Sequence, residues 1–227
     1  MIRFWKKLAF VLALALVLTC LPATAWAAEG DSPAEPAAAQ TAEYPASLYL
    51  TQSTGYTCTL ASSAMMLRAR MYLSGSDQWD AVTEASLRPQ AWLSGTGIYA
   101  NFTCTVGDDV MTVTRQRVSG ISLEDLKALL DEHPEGIVFY ISDRSVMHAV
   151  YVTDYEGDTI YCADPAVTYS GTRRALSTSQ LGNAKGSQES VLRSATAYWY
   201  VSSYSIASAQ PEPVEAPEGE AVLREAA

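Results

Sequence analysis

The chain has 227 residues, 15 of them basic and 25 acidic, for a formal net charge of −10. That length holds one domain of moderate size with tails. The acidic balance excludes a clustered basic nucleic-acid footprint, and four cysteines and two histidines scattered along the chain match no zinc spacing.

The first 27 residues read as a targeting segment. Arg3, Lys6 and Lys7 precede an uncharged apolar run over residues 8–18, too short to span a bilayer, and Ala25-Trp26-Ala27 supplies a cleavage site. The expected product is exported and soluble, secreted or in the cell envelope, with no stable membrane insertion after cleavage. Removing residues 1–27 takes away three bases and no acid, leaving 12 basic residues against 25 acidic. Residues 28–46, rich in Ala, Pro and acids, read as a disordered linker. Residues 47–207 form the expected domain, and residues 208–227 an acidic, Pro-rich disordered tail.

A short extended arm over residues 44–49 begins the ordered part. Residues 58–73 contain neither Gly nor Pro, and Leu60, Ala64, Leu67 and Met71 recur at helical steps, which predicts a four-turn helix with one apolar face ending at Ser74-Gly75. A second helix, capped by Ser76 or Asp77, carries Trp79, Val82 and Ala85 and stops before Pro89. Residues 92–109 are turn-rich, and residues 110–118 alternate as a strand. Ser122 with Asp125 caps a helix bearing Leu123, Leu126, Leu129 and Leu130, closed by His133-Pro134. Short strands follow over 136–141, 147–152 and 159–163, the last two joined by a hairpin turn at 155–158. Residues 166–190 read as a long surface loop. Residues 195–204, with their Tyr/Trp run, form a last strand. Helices first and consecutive antiparallel strands afterwards make an α+β layout, with the helices packed on one sheet.

Chemistry concentrates at three places. Cys58 falls in the first turn of the first helix, where unpaired backbone N–H groups and the positive end of the helix dipole favour an anion such as a thiolate. Gln52, six residues upstream, can aim its amide at the same point as the Cys58 N–H, a pairing suited to an oxyanion. His148 opens one strand and Asp164 ends the next. A hairpin centred near residue 156 sets these two side by side, so that Asp164 can hold the His148 ring as the third member of a triad does. Export leaves three cysteines, an odd number. The simplest arrangement bridges Cys104 to Cys162 and leaves Cys58 free; three free thiols are the alternative.

The segments from Gln52 to Arg68, His148-Ala149-Val150-Tyr151-Val152, Gly157-Asp158 and Asp164-Pro165 together resemble the papain-like cysteine peptidase clan, and within it the bacterial C39-like peptidase family. The resemblance covers about residues 47–170 and implies a papain-like fold. It also implies Cys58 as nucleophile, Gln52 with the Cys58 N–H as oxyanion hole, His148 as general base and acid, and Asp164 orienting His148. Members of the family usually follow the cysteine with Gly-Pro, whereas Thr59-Leu60 stands here. The implied function is an exported cysteine peptidase acting on a peptide or protein as a monomer, with no metal and no cofactor. The alternatives are a binding module without activity on the same fold and another thiol acyl-transfer enzyme such as a cell-wall amidase.

Overall fold

A computed structural model describes residues 43–207. The expected targeting segment at 1–27, the linker as far as residue 42 and the tail from 208 lie outside the described residues. The arm expected over residues 44–49 takes a different form. Ala46–Leu48 is a 3₁₀ turn rather than an extended arm, with Leu48 fully buried.

The described chain is a seven-stranded antiparallel sheet with helices on both faces. In chain order the elements are α1 (Cys58–Leu73), a 3₁₀ turn (Trp79–Ala81), α2 (Glu84–Ala91), β1 (Trp92–Leu93), β2 (Gly97–Ile98), β3 (Asn101–Val106), β4 (Asp109–Arg117), α3 (Leu123–Glu132), β5 (Ile137–Ser142), β6 (Met147–Glu156), β7 (Thr159–Ala163), β8 (Arg173–Ala175), a 3₁₀ turn (Leu176–Thr178), α4 (Gln180–Lys185), α5 (Gln188–Arg193) and β9 (Ala197–Ile206). The large sheet runs β3-β4-β9-β5-β6-β7-β8, and β1 with β2 forms a separate small hairpin. The mixed helix and antiparallel-sheet class agrees with the α+β expectation.

Placement of the helices departs from it. The sheet is covered on both faces. One core packs α1 and α2 against Val138, Ala149, Tyr151, Trp199 and Val201. The other packs Leu126, Leu130, Leu181, Val191 and Leu192 of α3, α4 and α5 against Phe139, Val150, Val152 and Ile160. Strand side chains alternate between faces, and the strands Ile137–Ser142 and Met147–Glu156 are buried along most of their length. That near-continuous burial is what a sheet covered on both sides requires.

α1 is buried all round, not on one face. From Cys58 to Ala69 every residue is buried, including Ser62, Ser63 and Arg68. The sheet lies on one side, and the turn at Ala46–Leu48, the 3₁₀ turn and α2 cover the other. Polar groups in such a helix must find partners. The Ser62 hydroxyl donates to the Ala149 carbonyl at 3.3 Å. The Arg68 guanidinium donates to three carbonyls, Val82 at 2.5 Å, Ser47 at 2.6 Å and Asp80 at 2.8 Å. Arg68 thus staples the N-terminal turn and the connection into α2 onto α1.

The expected second helix is divided. Trp79–Ala81 is a 3₁₀ turn, and α2 starts at Glu84 behind a reciprocal cap between Thr83 and Ser86. Pro89 lies inside α2 instead of stopping it; in so short a helix it forfeits one backbone N–H, and the helix ends two residues later. Residues 166–190 are a loop only in their first part. Residues 166–172 are turns, but from residue 173 β8, a 3₁₀ turn, α4 and α5 follow, anchored by Leu176, Leu181 and Val191 and capped by Ser179 and Ser187. Elements of three to six residues are too short to show a period. The Tyr/Trp run falls in β9, inside the sheet between β4 and β5. Trp199 is buried there and donates to the Tyr99 carbonyl at 3.1 Å, so this part of the run is packing rather than a binding platform.

The Cys104–Cys162 bridge does not form. All three described cysteines are free and buried. Cys104 lies in β3 and Cys162 in β7, five strand spacings apart in the sheet, or roughly 24 Å at about 4.8 Å per strand. Their side chains also belong to different cores. A bridge needs Cα atoms within about 7 Å.

This arrangement has a direct test. A chain beginning at residue 28, denatured without reductant, should titrate three thiols, with no mass change on adding reductant. In the native state Cys104 and Cys162 should stay unreactive. A single titratable thiol would restore the bridge.

Candidate active site

The loop before α1 is shaped by backbone and carboxylate contacts. Thr57 occupies the N-cap position of α1, yet its side chain caps nothing. Its hydroxyl lies 3.2 Å from the Thr54 carbonyl and 3.2 Å from Glu84 Oε1. The first N–H groups of the helix therefore keep no side-chain cap, and Cys58, the first helical residue, has no intrahelical acceptor for its own N–H. Glu84, at the start of α2, accepts the Ser53 N–H at 2.8 Å and the Ser53 hydroxyl on its other oxygen. One carboxylate thus holds both ends of the 53–57 loop. Neither periodicity nor motif points to Glu84; its only sequence signal is its place at the start of a capped helix.

The His148–Asp164 pair forms as expected, by a slightly different route. Tyr151 pairs with Ala163 and Val152 with Cys162, and the register then slips at Thr153 before Asp154 pairs with Tyr161. Continued by one residue, the register sets Asp164 opposite Val150, two residues from His148. The two site residues are therefore diagonal neighbours on one face of the strand pair, not a directly opposed pair. His148 Nε2 lies 2.7 Å from Asp164 Oδ1, and both residues are buried, 3% and 1% exposed.

Asp164 is fully engaged. Besides His148, its Oδ1 accepts the Ala166 N–H at 3.0 Å and its Oδ2 accepts the Gln180 N–H at 2.7 Å. Gln180 opens α4, the helix in the segment expected to be a loop. One residue on, the Pro165 carbonyl accepts the Gln52 N–H at 2.8 Å. That bond ties the loop before Cys58 to the residue after Asp164.

Cys58 lies close enough to the same ring to raise the His148 pKa. Nε2 is taken by Asp164, which leaves Nδ1 as the ring nitrogen without a partner in the triad pair. Burial alone would lower the His148 pKa. The hydrogen bonds and charges of Asp164 and Cys58 outweigh it and raise the value from 6.5 to about 9. The imidazolium is thus the form this site favours at neutral pH. The other two thiols stand apart: burial pushes Cys104 up to about 11 and raises Cys162 further. Both remain protonated and away from the cleft.

Gln52, tied by its backbone to Pro165, has one side-chain donor committed. Its Nε2 donates to the Thr54 carbonyl at 2.7 Å, and its Oε1 is buried with no partner. An amide nitrogen carries two N–H groups, so one remains beyond the Thr54 bond. A cleft of about 490 Å³ opens at Cys58. Tyr56, Trp92, Tyr140 and Met147 form its larger side chains, and Gly95 and Gly97 of the small hairpin form a backbone wall. Among the described residues there is no group of three or more His, Cys, Asp or Glu side chains able to hold a metal ion. No described helix is long and apolar enough to cross a membrane.

The Glu84 clamp can be tested without any assumption about activity. Glu84→Ala should raise amide exchange at Ser53 by about tenfold or more, the scale of a lost bond to a charged acceptor. Glu84→Gln, which keeps an acceptor oxygen, should retain most of the protection. Equal exchange in all three proteins would show that the loop is held elsewhere. No protein-family model, curated protein or solved structure matches this chain.

Proposed function

We propose that the chain is a thiol hydrolase, and specifically a cysteine peptidase of papain-like type, exported and acting on peptide or protein substrates as a monomer. The observation that carries this reading is a single buried imidazole, bonded through Nε2 to Asp164 at 2.7 Å, whose pKa is raised by Asp164 and by Cys58 at the start of α1. A nucleophile, a base and a group that orients the base are the parts that covalent acyl transfer needs.

The chemistry follows from the protonation state. Proton transfer from Cys58 to His148 makes the attacking thiolate. Cys58 Sγ attacks the carbonyl carbon of an amide, and the oxygen takes up the negative charge. The Cys58 N–H and the second N–H of Gln52 Nε2 supply donors to that oxygen. His148 gives its proton to the nitrogen as the C–N bond breaks, and the amine leaves. The acyl group is then a thioester on Cys58. Neutral His148 takes a proton from water as the water oxygen attacks the thioester carbon. The C–S bond breaks, the acid leaves, and the thiolate–imidazolium pair is restored. Asp164 fixes the ring throughout.

The pH dependence has a defined sign. The folded-state pKa of His148, about 9, is above its ordinary 6.5. The stability it contributes is therefore complete below pH 6.5 and lost as pH rises through about 9. Peptide turnover should likewise fall on the alkaline side with a limb near pH 9, and Asp164→Asn should move that limb to lower pH. Cys58→Ala should abolish turnover. A wild-type protein that hydrolyses no peptide and resists thiol-directed acylating probes at pH 7–8 would leave the site as a binding module without peptidase activity.

Gln52 has its own signature. Gln52→Ala should lower kcat by about 10²–10³, as loss of one oxyanion donor does, with KM nearly constant because the contact forms in the transition state. Alkylation of Cys58 by iodoacetamide creates no oxyanion and should keep its rate. Equal losses in turnover and alkylation would make Gln52 a supporting loop residue only.

A further inference from the structure

α4 has only six residues, Gln180–Lys185, and each of its ends is tied to one half of the His148–Asp164 pair. At its start the Ser179 hydroxyl caps the helix, accepting the Gly182 N–H at 3.2 Å, and the Gln180 N–H goes to Asp164 Oδ2 at 2.7 Å. So short a helix does not hold by itself. Leu181, fully buried, anchors it. A Cβ on Gly182 would collide with the Ser177 carbonyl, so glycine alone lets α4 lie against the 3₁₀ turn before it. At its end Lys185, with a side chain 13% exposed, donates to Asp143 Oδ2 and, at 2.8 Å, to Ser145 Oγ.

Asp143 and Ser145 belong to the turn between β5 and β6, five and three residues before His148. Asp143 folds that turn. Its Oδ1 accepts the Ser145 N–H and hydroxyl, each at 2.8 Å, and the Val146 N–H at 3.1 Å, while its own N–H donates to the Val146 carbonyl at 3.0 Å. Lys185 first, and then the Ser145 and Val146 donors, hold the Asp143 carboxyl well below the usual carboxylate range. The sheet does not fix this end of β6 by itself. On one side His148 pairs with Ile141 of β5, the last pair but one before the turn. On the other side the pairing with β7 stops at Tyr151 and Ala163, three residues short of His148. Asp164 lies beyond the end of β7. α4, about 9 Å long at about 1.5 Å per residue, runs from Asp164 to the turn across the place where the ladder is missing.

We propose that Lys185 is a positioning residue for His148, fastening the β5–β6 turn to α4 so that one short helix holds both halves of the His148–Asp164 pair. A partly exposed ion pair adds little to overall stability. Here it acts locally, on the end of β6 that β7 leaves unpaired. The part of Lys185 in catalysis rests on the peptidase reading; its hold on the ring does not. Charge and position have different signatures. Loss of a nearby cation raises a histidine pKa by charge alone, and loss of a nearby carboxylate lowers it. A loosened bond to Asp164 lowers the His148 pKa whichever member of the Lys185–Asp143 pair is removed.

NMR titration of the histidine rings separates the two in the wild-type protein and in two variants. The chain has two histidines, His133 and His148, and His133→Gln assigns their signals. Lys185→Met removes the ammonium and keeps the stem. Asp143→Asn keeps an acceptor oxygen for the turn and removes the charge that Lys185 holds. Both should lower the His148 pKa from about 9 toward 6.5, by about tenfold in proton affinity, and both should speed exchange of the ring N–H that faces Asp164. Lys185→Arg should keep the wild-type titration. Peptide kcat should fall by about tenfold in Lys185→Met and Asp143→Asn with KM nearly constant, since a displacement of about 1 Å from a remote change costs as much as about 10²-fold. If Lys185→Met does not fold, Ser145→Ala, which removes the other Lys185 contact, gives the same readout beside Asp143→Asn. A lowered His148 pKa in variants of a protein that cleaves no peptide would support the positioning role and refute the peptidase reading. The positioning role is overturned by an unchanged His148 titration in the variants, by shifts of opposite sign in Lys185→Met and Asp143→Asn, or by lost turnover with an unshifted titration.

Discussion

A carboxylate that is 1% exposed must be surrounded by donors, and Asp164 is. Its bonds reach His148 on β6, the backbone just beyond β7 and the first N–H of α4. The next residue carries the carbonyl that holds Gln52. One buried charge thus gathers a strand start, a strand end, a short helix and the loop leading to α1. Removing any of these donors would leave the others facing an unsatisfied anion, which is why the segment after β7 cannot be a free loop. The pair also sets the state of the ring. Burial alone would favour neutral imidazole, and Asp164 together with Cys58 reverses that preference.

α1 supplies the other half of the site by being central. A helix at the protein surface would present Cys58 on a solvated, fraying end. Here α1 is enclosed by the sheet, the N-terminal turn and α2, and its polar groups, including Arg68, are spent on backbone carbonyls of the covering segments. Its first turn is therefore held where the loop, the imidazole and the cleft meet. Thr57 stands at the cap position but turns to Glu84 and Thr54, so the backbone donors of the first turn are not spent on a local cap. α2 acts twice, through Glu84 on the loop and through Arg88 on the Trp92 ring of the cleft.

The cysteines divide by environment. Cys104 and Cys162 are apolar packing groups on opposite cores, five strand spacings apart, and burial holds them protonated. Cys58 differs because it borders a cleft and acts on the pKa of an imidazole. An odd cysteine count after removal of residues 1–27 invites a bridge on arithmetic alone. Strand order forbids it, since β9 returns between β4 and β5 and drives β3 away from β7.

The sequence by itself determined much of the local structure. An uninterrupted run over residues 58–73 carries one long helix, Ser122 caps the next, and the turn at Gly157 makes β6 and β7 a hairpin. Because a hairpin brings matched distances from its turn together, it also determined that His148 and Asp164 would meet. Tertiary structure decided what depends on distant partners. The slip at Thr153 shifts the pair to a diagonal, because a bulge is fixed by the packing of both strands rather than by a local signal. Burial of α1 on every side depends on segments that arrive before and after it in the chain. The helices of residues 180–193 are too short to show a period and exist because Leu181, Val191, Leu192 and Asp164 hold them. Glu84 and Trp92 lie 26 and 34 residues beyond Cys58 in sequence. Only the folding of α2 back onto the loop brings that carboxylate and that ring to the thiol, and no pattern within either segment encodes a contact made by the other.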